Sequence, residues 1–197
     1  MFRTLRFSLL FALVCAAVAS CISPPDYSDT PSIKFKQLDV LRVSDRFGIY
    51  DSVTVVISFE DGNGDLGLSS EDTMAPYNEV FEVVDPTTTP VTKRNTNLNY
   101  FNYYIQPQVK YRGSPDFVDY VNSSGFAGEF YSRFPRLDPP NADKEAPLKG
   151  DLRFNIQLFL QSPFFPGDEV RFKLSIKDRA LNQSNEIITS SYIVQDQ

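Results

Sequence analysis

The pattern of apolar and polar positions is clearest at residues 53–59, where Val53, Val55, Ile57 and Phe59 alternate with Thr54, Val56 and Ser58. A two-residue period sets one row of side chains against a core, and β-branched residues suit a pleated surface, so a half-buried strand is predicted. The period returns at 152–160, with Leu152, Phe154, Ile156, Leu158 and Leu160 on one face. It returns again at 169–176, with Val170, Phe172, Leu174 and Ile176 aligned. Weaker alternation marks 33–43, 78–84, 98–111 and 187–194, and Pro107 calls for an edge position or a bulge in its strand. No segment keeps a helical period. Seven or so short strands separated by turns predict an all-β fold, an immunoglobulin-like β-sandwich over residues 32–197.

Between about 112 and 150 the pattern is lost, and a long irregular insertion is expected there. Its aromatics Phe117, Tyr120, Phe126, Phe130, Tyr131 and Phe134 either cap an open end of the core or form a contact surface.

The 53–59 strand runs into Asp61-Gly62-Asn63-Gly64-Asp65-Leu66-Gly67, followed by Ser69, Glu71 and Asp72. Asp61, Asn63 and Asp65 can converge if the glycines let the backbone curl, and a hard cation such as Ca²⁺ takes six to eight oxygens. The spacing resembles the first half of an EF-hand loop, with Asp72 at the twelfth position. Leu66 occupies the EF-hand glycine position, and a strand enters where a helix belongs. A calcium loop on a β-scaffold and a solvated acidic turn both remain open. Residues 178–184 (DRALNQS) resemble a turn of bacterial immunoglobulin-like domains that Asp178 and Asn182 hold through backbone hydrogen bonds. In a sandwich this loop and the 61–72 loop share one end, so Asp178 is a further candidate ligand beside Asp61, Asn63, Asp65 and Asp72. The first strand also begins at that end, which brings the start of the domain close to the acidic loop.

Composition changes the picture at the N-terminus. Arg3 and Arg6 precede an apolar run ending in small residues, the layout of a secretory signal peptide over 1–20. Val18-Ala19-Ser20-Cys21 resembles a bacterial lipobox, which implies a covalent lipid (diacylglycerol and an N-acyl chain such as palmitate) on Cys21. Residues 21–31, rich in Pro, Ser and Asp, read as a lipidated tether. The other cysteine, Cys15, lies in the signal, so the folded part has no disulfide or thiolate site. Removing 1–20 takes away two arginines and no acid, which moves the net charge from −6 to −8. That balance argues against nucleic acid as a partner. With no histidine in the chain, a Ser-His-Asp triad and a histidine zinc site are excluded.

The runs SFEDGNGDLGLSSEDT, NYFNYY, LKGDLRFNIQLF and PGDEVRFKLSIKDRALNQSN resemble a group of Bacteroidota lipoproteins. The resemblance implies an outer-membrane lipoprotein with an immunoglobulin-like or similar sandwich, and it brings no activity with it. The expectation is a non-catalytic binding or accessory lipoprotein, anchored in the membrane by its lipid and docking on an outer-membrane protein or glycan. A calcium-stiffened cell-surface module is the second reading. A glycan hydrolase using carboxylates among Asp116, Asp119, Glu129 and Asp138 is a third, and their spacing selects no pair.

Overall fold

The computed structural model describes residues 25–46, 48–83, 93–121, 128–137, 145–160 and 163–196. The expected signal segment, Cys21, Val84, Phe126, Asp138 and the rest of 122–127 and 138–144 lie outside the described residues. In chain order the strands are β1 (Ser32–Asp45), β2 (Gly48–Asp61), β3 (Phe81–Val83), β4 (Lys93–Asn95), β5 (Tyr103–Lys110), β6 (Val118–Asp119), β7 (Leu148–Phe159), β8 (Glu169–Ile176), β9 (Ile187–Ile188) and β10 (Tyr192–Ile193). One sheet has the order β1-β2-β7 and the other β10-β8-β5-β6, with β9 also pairing β8; every pairing is antiparallel. The two sheets face each other across one core, so the fold is an all-β sandwich. Its strand order is that of an A-B-E sheet against a G-F-C sheet. Among the described residues no helix is long and apolar enough to cross a membrane.

The alternation at 53–59, 152–160 and 169–176 becomes β2, β7 and β8. Val53, Val55, Ile57 and Phe59 meet Ile156, Leu158, Phe172, Leu174 and Ile176 in the core. Val56, on the opposite face of β2, is buried as well, because β2 is the central strand of its sheet. The register of β1 shifts between Phe35 and Gln37, a bulge in a strand whose sequence alternates irregularly.

Three expectations are corrected. The 78–84 strand shrinks to β3, which pairs only with β4 in a separate ribbon and leaves Phe81 exposed. The 98–111 strand begins late, because Leu98–Tyr100 forms a 3₁₀ turn whose start is capped by the Asn97 side chain. Pro107 produces neither an edge strand nor a bulge. It stands opposite Phe172 in an unbroken β5–β8 register. The Phe172 backbone turns instead to Thr189, whose N–H and hydroxyl it bonds, so β8 asks Pro107 for no N–H.

The described parts of the insertion, 112–121, 128–137 and 145–150, contribute to the core. Phe134 is buried, and Tyr120 and Phe130 pack on the core, so these rings close it. Tyr131 instead stands edge-on to Phe101 and Tyr104 beyond the sheet.

The start of β1 is clamped by the loop after β8. Asn185 accepts the Ile33 N–H at 2.9 Å and donates to the Ile33 carbonyl at 2.9 Å. Ile33 is buried, so Asn185→Ala leaves both backbone groups without their partner. A loss of about 2 kcal/mol is expected in denaturant unfolding.

Candidate metal centre

The inward-facing row of β2 reads Asp51, Val53, Val55, Ile57, Phe59, Asp61, and all six side chains are buried. Two carboxylates therefore bracket an apolar row on one strand face. They are treated differently. Asp51 lies opposite Arg42 in the β1–β2 register and takes its Nε–H at 2.6 Å. Asp61 is fully buried, and neither of its oxygens makes a well-formed hydrogen bond; only the Gly64 and Asp65 N–H groups are turned toward it. An ionised group in that position is unfavourable unless something neutralises it.

What surrounds Asp61 is more negative charge. Asp61, Asp65 and Asp178 each place a carboxylate oxygen within 4.8 Å of the others. The sandwich brings the loop after β2 beside the loop after β8, where Leu66 pairs with Asp178 and the Arg179 N–H reaches the Asp65 carbonyl at 3.2 Å. Asp65 Oδ2 accepts the Ala180 N–H at 3.0 Å, while its Oδ1 is buried without a partner. Asp178 closes its own turn, accepting the Asn182 N–H at 2.7 Å and the Asn182 side-chain amide at 2.9 Å. That turn holds Leu181 at φ 69°, a left-handed conformation that a leucine adopts only under constraint.

Burial, first, and then the charges of Asp65 and Asp178 raise the Asp61 carboxyl to about 6, against some help from the Gly64 and Asp65 N–H groups. Asp65 is raised by burial and by Asp178, while the Ala180 N–H and the Arg179 charge hold it down. The Arg179 guanidinium is engaged with the Leu66 and Gly67 carbonyls, and Tyr77 donates its hydroxyl to the Arg179 carbonyl. The positive charges of Arg179 and Lys177 act on Asp65 and on Asp178 respectively.

The five residues named from sequence separate here. Asp61, Asp65 and Asp178 are brought together. Asn63 accepts the Asp65 N–H at 3.4 Å and shapes the turn. Asp72 is not in the group: its oxygens take the Ser69 N–H at 2.7 Å and the Arg136 guanidinium at 2.8 and 3.2 Å. The EF-hand spacing fails for a physical reason. Leu66 and Leu68 are core residues, and their backbones bond to Leu137 and Phe134, so the loop runs extended where an EF-hand would curl back. Gly67, at φ 95°, has a position where a Cβ would collide with the Pro135 carbonyl.

The segment before β1, expected to be the tether, meets the same pole. The Gly62 N–H donates to the Ser28 carbonyl at 2.8 Å, and a Cβ on Gly62 would strike the Tyr27 carbonyl. The Tyr27 ring lies 5.9 Å from the Lys149 ammonium, which pairs with Glu60 at 2.7 Å. Sequence reasoning missed the contrast between Asp51 and Asp61. The alternation that places both inward was visible, but nothing local showed that Arg42 would stand opposite only one of them. No family model, curated protein or solved structure matches the chain.

Proposed function

We propose that this chain is a non-catalytic, lipid-anchored β-sandwich module of the outer membrane whose tether-side pole binds Ca²⁺. The observation that carries the ion is Asp61, a fully buried carboxylate with no well-formed hydrogen bond, facing two further carboxylates. Its two oxygens and Asp65 Oδ1 make no well-formed hydrogen bond, and each Asp178 oxygen keeps a lone pair after its bond to Asn182. Carboxylates from two separate loops, with water completing the shell, suit the flexible coordination of Ca²⁺ better than the strict octahedron of Mg²⁺.

The ion would tie the loop after β2, from one sheet, to the loop after β8, from the other. It would do so next to the point where the tether is held by Gly62. A rigid pole at the anchor side fits an accessory module that presents its opposite parts to a partner. The lipobox at Cys21 supports the anchor.

Thermal unfolding of the mature domain at pH 7.5 tests the ion: Ca²⁺ is expected to raise the melting temperature over the chelated protein. Asp178→Asn is expected to lose that response, and Asp72→Asn to keep it. An identical melt with Ca²⁺ and with chelator sinks the ion site. The anchor is tested separately by palmitate labelling in cells, which Cys21→Ser is expected to abolish.

A further inference from the structure

The outer face of the β5–β8 sheet carries a second feature, independent of the acidic pole. Tyr103, Ile105, Phe172 and Leu174 turn inward to the core, which leaves Tyr104 opposite Ser175 and Gln106 opposite Lys173 on the outside. Such a face usually lies flat to solvent. Here Tyr131 stands up along one side, its ring 5.1 Å from that of Tyr104, and Gln183 and Glu186 rise on the other. Together they enclose an open cleft of about 340 Å³, at the low end of the roughly 300–1,000 Å³ that small-molecule sites occupy.

The lining decides what can enter. Lys173 and Lys177 contribute two positive charges, and Asp119 and Glu186 two negative ones. An anion would meet both carboxylates and a cation both ammonium groups, so the balance disfavours a ligand of net charge. The walls combine the rings of Tyr104 and Tyr131 with hydrogen-bond donors and acceptors, which suits a molecule with apolar C–H faces and a rim of hydroxyls.

The groups are also held in place. The Tyr104 hydroxyl sits between the Leu98 and Phe101 carbonyls at 2.9 and 2.8 Å. Lys177 donates to Asn99 at 3.0 Å and lies 5.1 Å from the Tyr104 ring. Lys173 pairs with Asp119 at 2.9 Å, and Gln183 donates to the Ser175 hydroxyl at 3.0 Å. Side chains fixed before the ligand arrives lose little entropy on binding.

We infer that this cleft is a binding site for a neutral oligosaccharide, one or two sugar rings of which stack against Tyr131 and Tyr104 while their hydroxyls bond to the Lys173, Gln183 and Glu186 side chains. The test is calorimetric titration of the mature domain with maltohexaose, cellohexaose, mannohexaose and xylohexaose, with a heparin hexasaccharide and a chitosan hexamer as charged comparators. At least one neutral hexamer is expected to bind in preference to both charged ones. Tyr131→Ala and Gln183→Ala are each expected to weaken it about tenfold, the effect of one lost ring or one lost hydrogen-bonding group. Unchanged melting temperatures show that the variants fold. Binding by none of the neutral hexamers, preference for a charged oligomer, or neutral binding that both variants leave intact would overturn the assignment. None of these outcomes depends on whether the acidic pole holds an ion.

Discussion

In chelator at pH 7.5, Asp61→Asn is expected to melt higher than the wild-type chain, by roughly 5–10 °C, and to lose the response to Ca²⁺. Most substitutions of a buried polar residue lower stability, so the sign itself is informative. The Asp61 carboxyl rises from 3.8 to about 6 in the folded domain, through burial and through Asp65 and Asp178. A carboxyl raised on folding contributes stability that is fully present below 3.8 and lost as the pH climbs through 6. At pH 7.5 the ionised group therefore disfavours folding by about 2–3 kcal/mol in the absence of an ion. The neutral amide removes that repulsion and offers N–H donors to Asp65 and Asp178.

The pH profile supplies the check. Without Ca²⁺ the wild-type melting temperature should fall between pH 4.5 and 7.5, and the Asp61→Asn profile should be flatter. With Ca²⁺ the trend reverses for wild type, because only ionised carboxylates coordinate the metal. The stabilisation by Ca²⁺ should thus be larger at pH 7.5 than at pH 5. A wild-type profile in chelator that does not fall over this range, or an Asp61→Asn protein that melts lower at pH 7.5, would show that the buried carboxylate is accommodated by the fold itself.

The parts of this fold that could be read in advance are those where one face of a strand is fully buried. Val170, Phe172, Leu174 and Ile176 repeat at the strand period because the core demands it, and β2 and β7 follow the same logic. The elements that sequence placed poorly have no such face. Strand β3 has an exposed Phe81, and the single strand expected over 187–194 is instead β9 and β10, two residues each, too short for periodicity to tell apart. The site divides on the same line. Asp178 could be brought to Asp61 by topology alone, since loops at one end of a sandwich must meet. Asp72 was assigned by spacing, and spacing presumed a loop that closes on itself. Buried Leu66 and Leu68 straighten that loop and deliver Asp72 to Arg136.

The other buried carboxylate of β2 gives the opposite result. Arg42→Met is expected to destabilise the domain by about 3–5 kcal/mol, because it leaves Asp51 buried beside no cation. The Asp51 side chain is 2% exposed, and the methionine can still cover it with apolar atoms, so water offers little relief. Arg42 also donates to the Gln195 carbonyl at 2.9 Å, so the end of the chain loosens with it. In the double variant Arg42→Met/Asp51→Asn most of the lost stability should return, since the charge that needed a partner has gone. Unfolding curves of the two single variants and the double measure this directly; a double variant no more stable than Arg42→Met would assign the loss to packing at the chain end. Asp51 and Asp61 then form a matched pair on one strand: one has its cation built in from β1, and the other faces carboxylates and, in the proposed reading, takes its positive charge from solution.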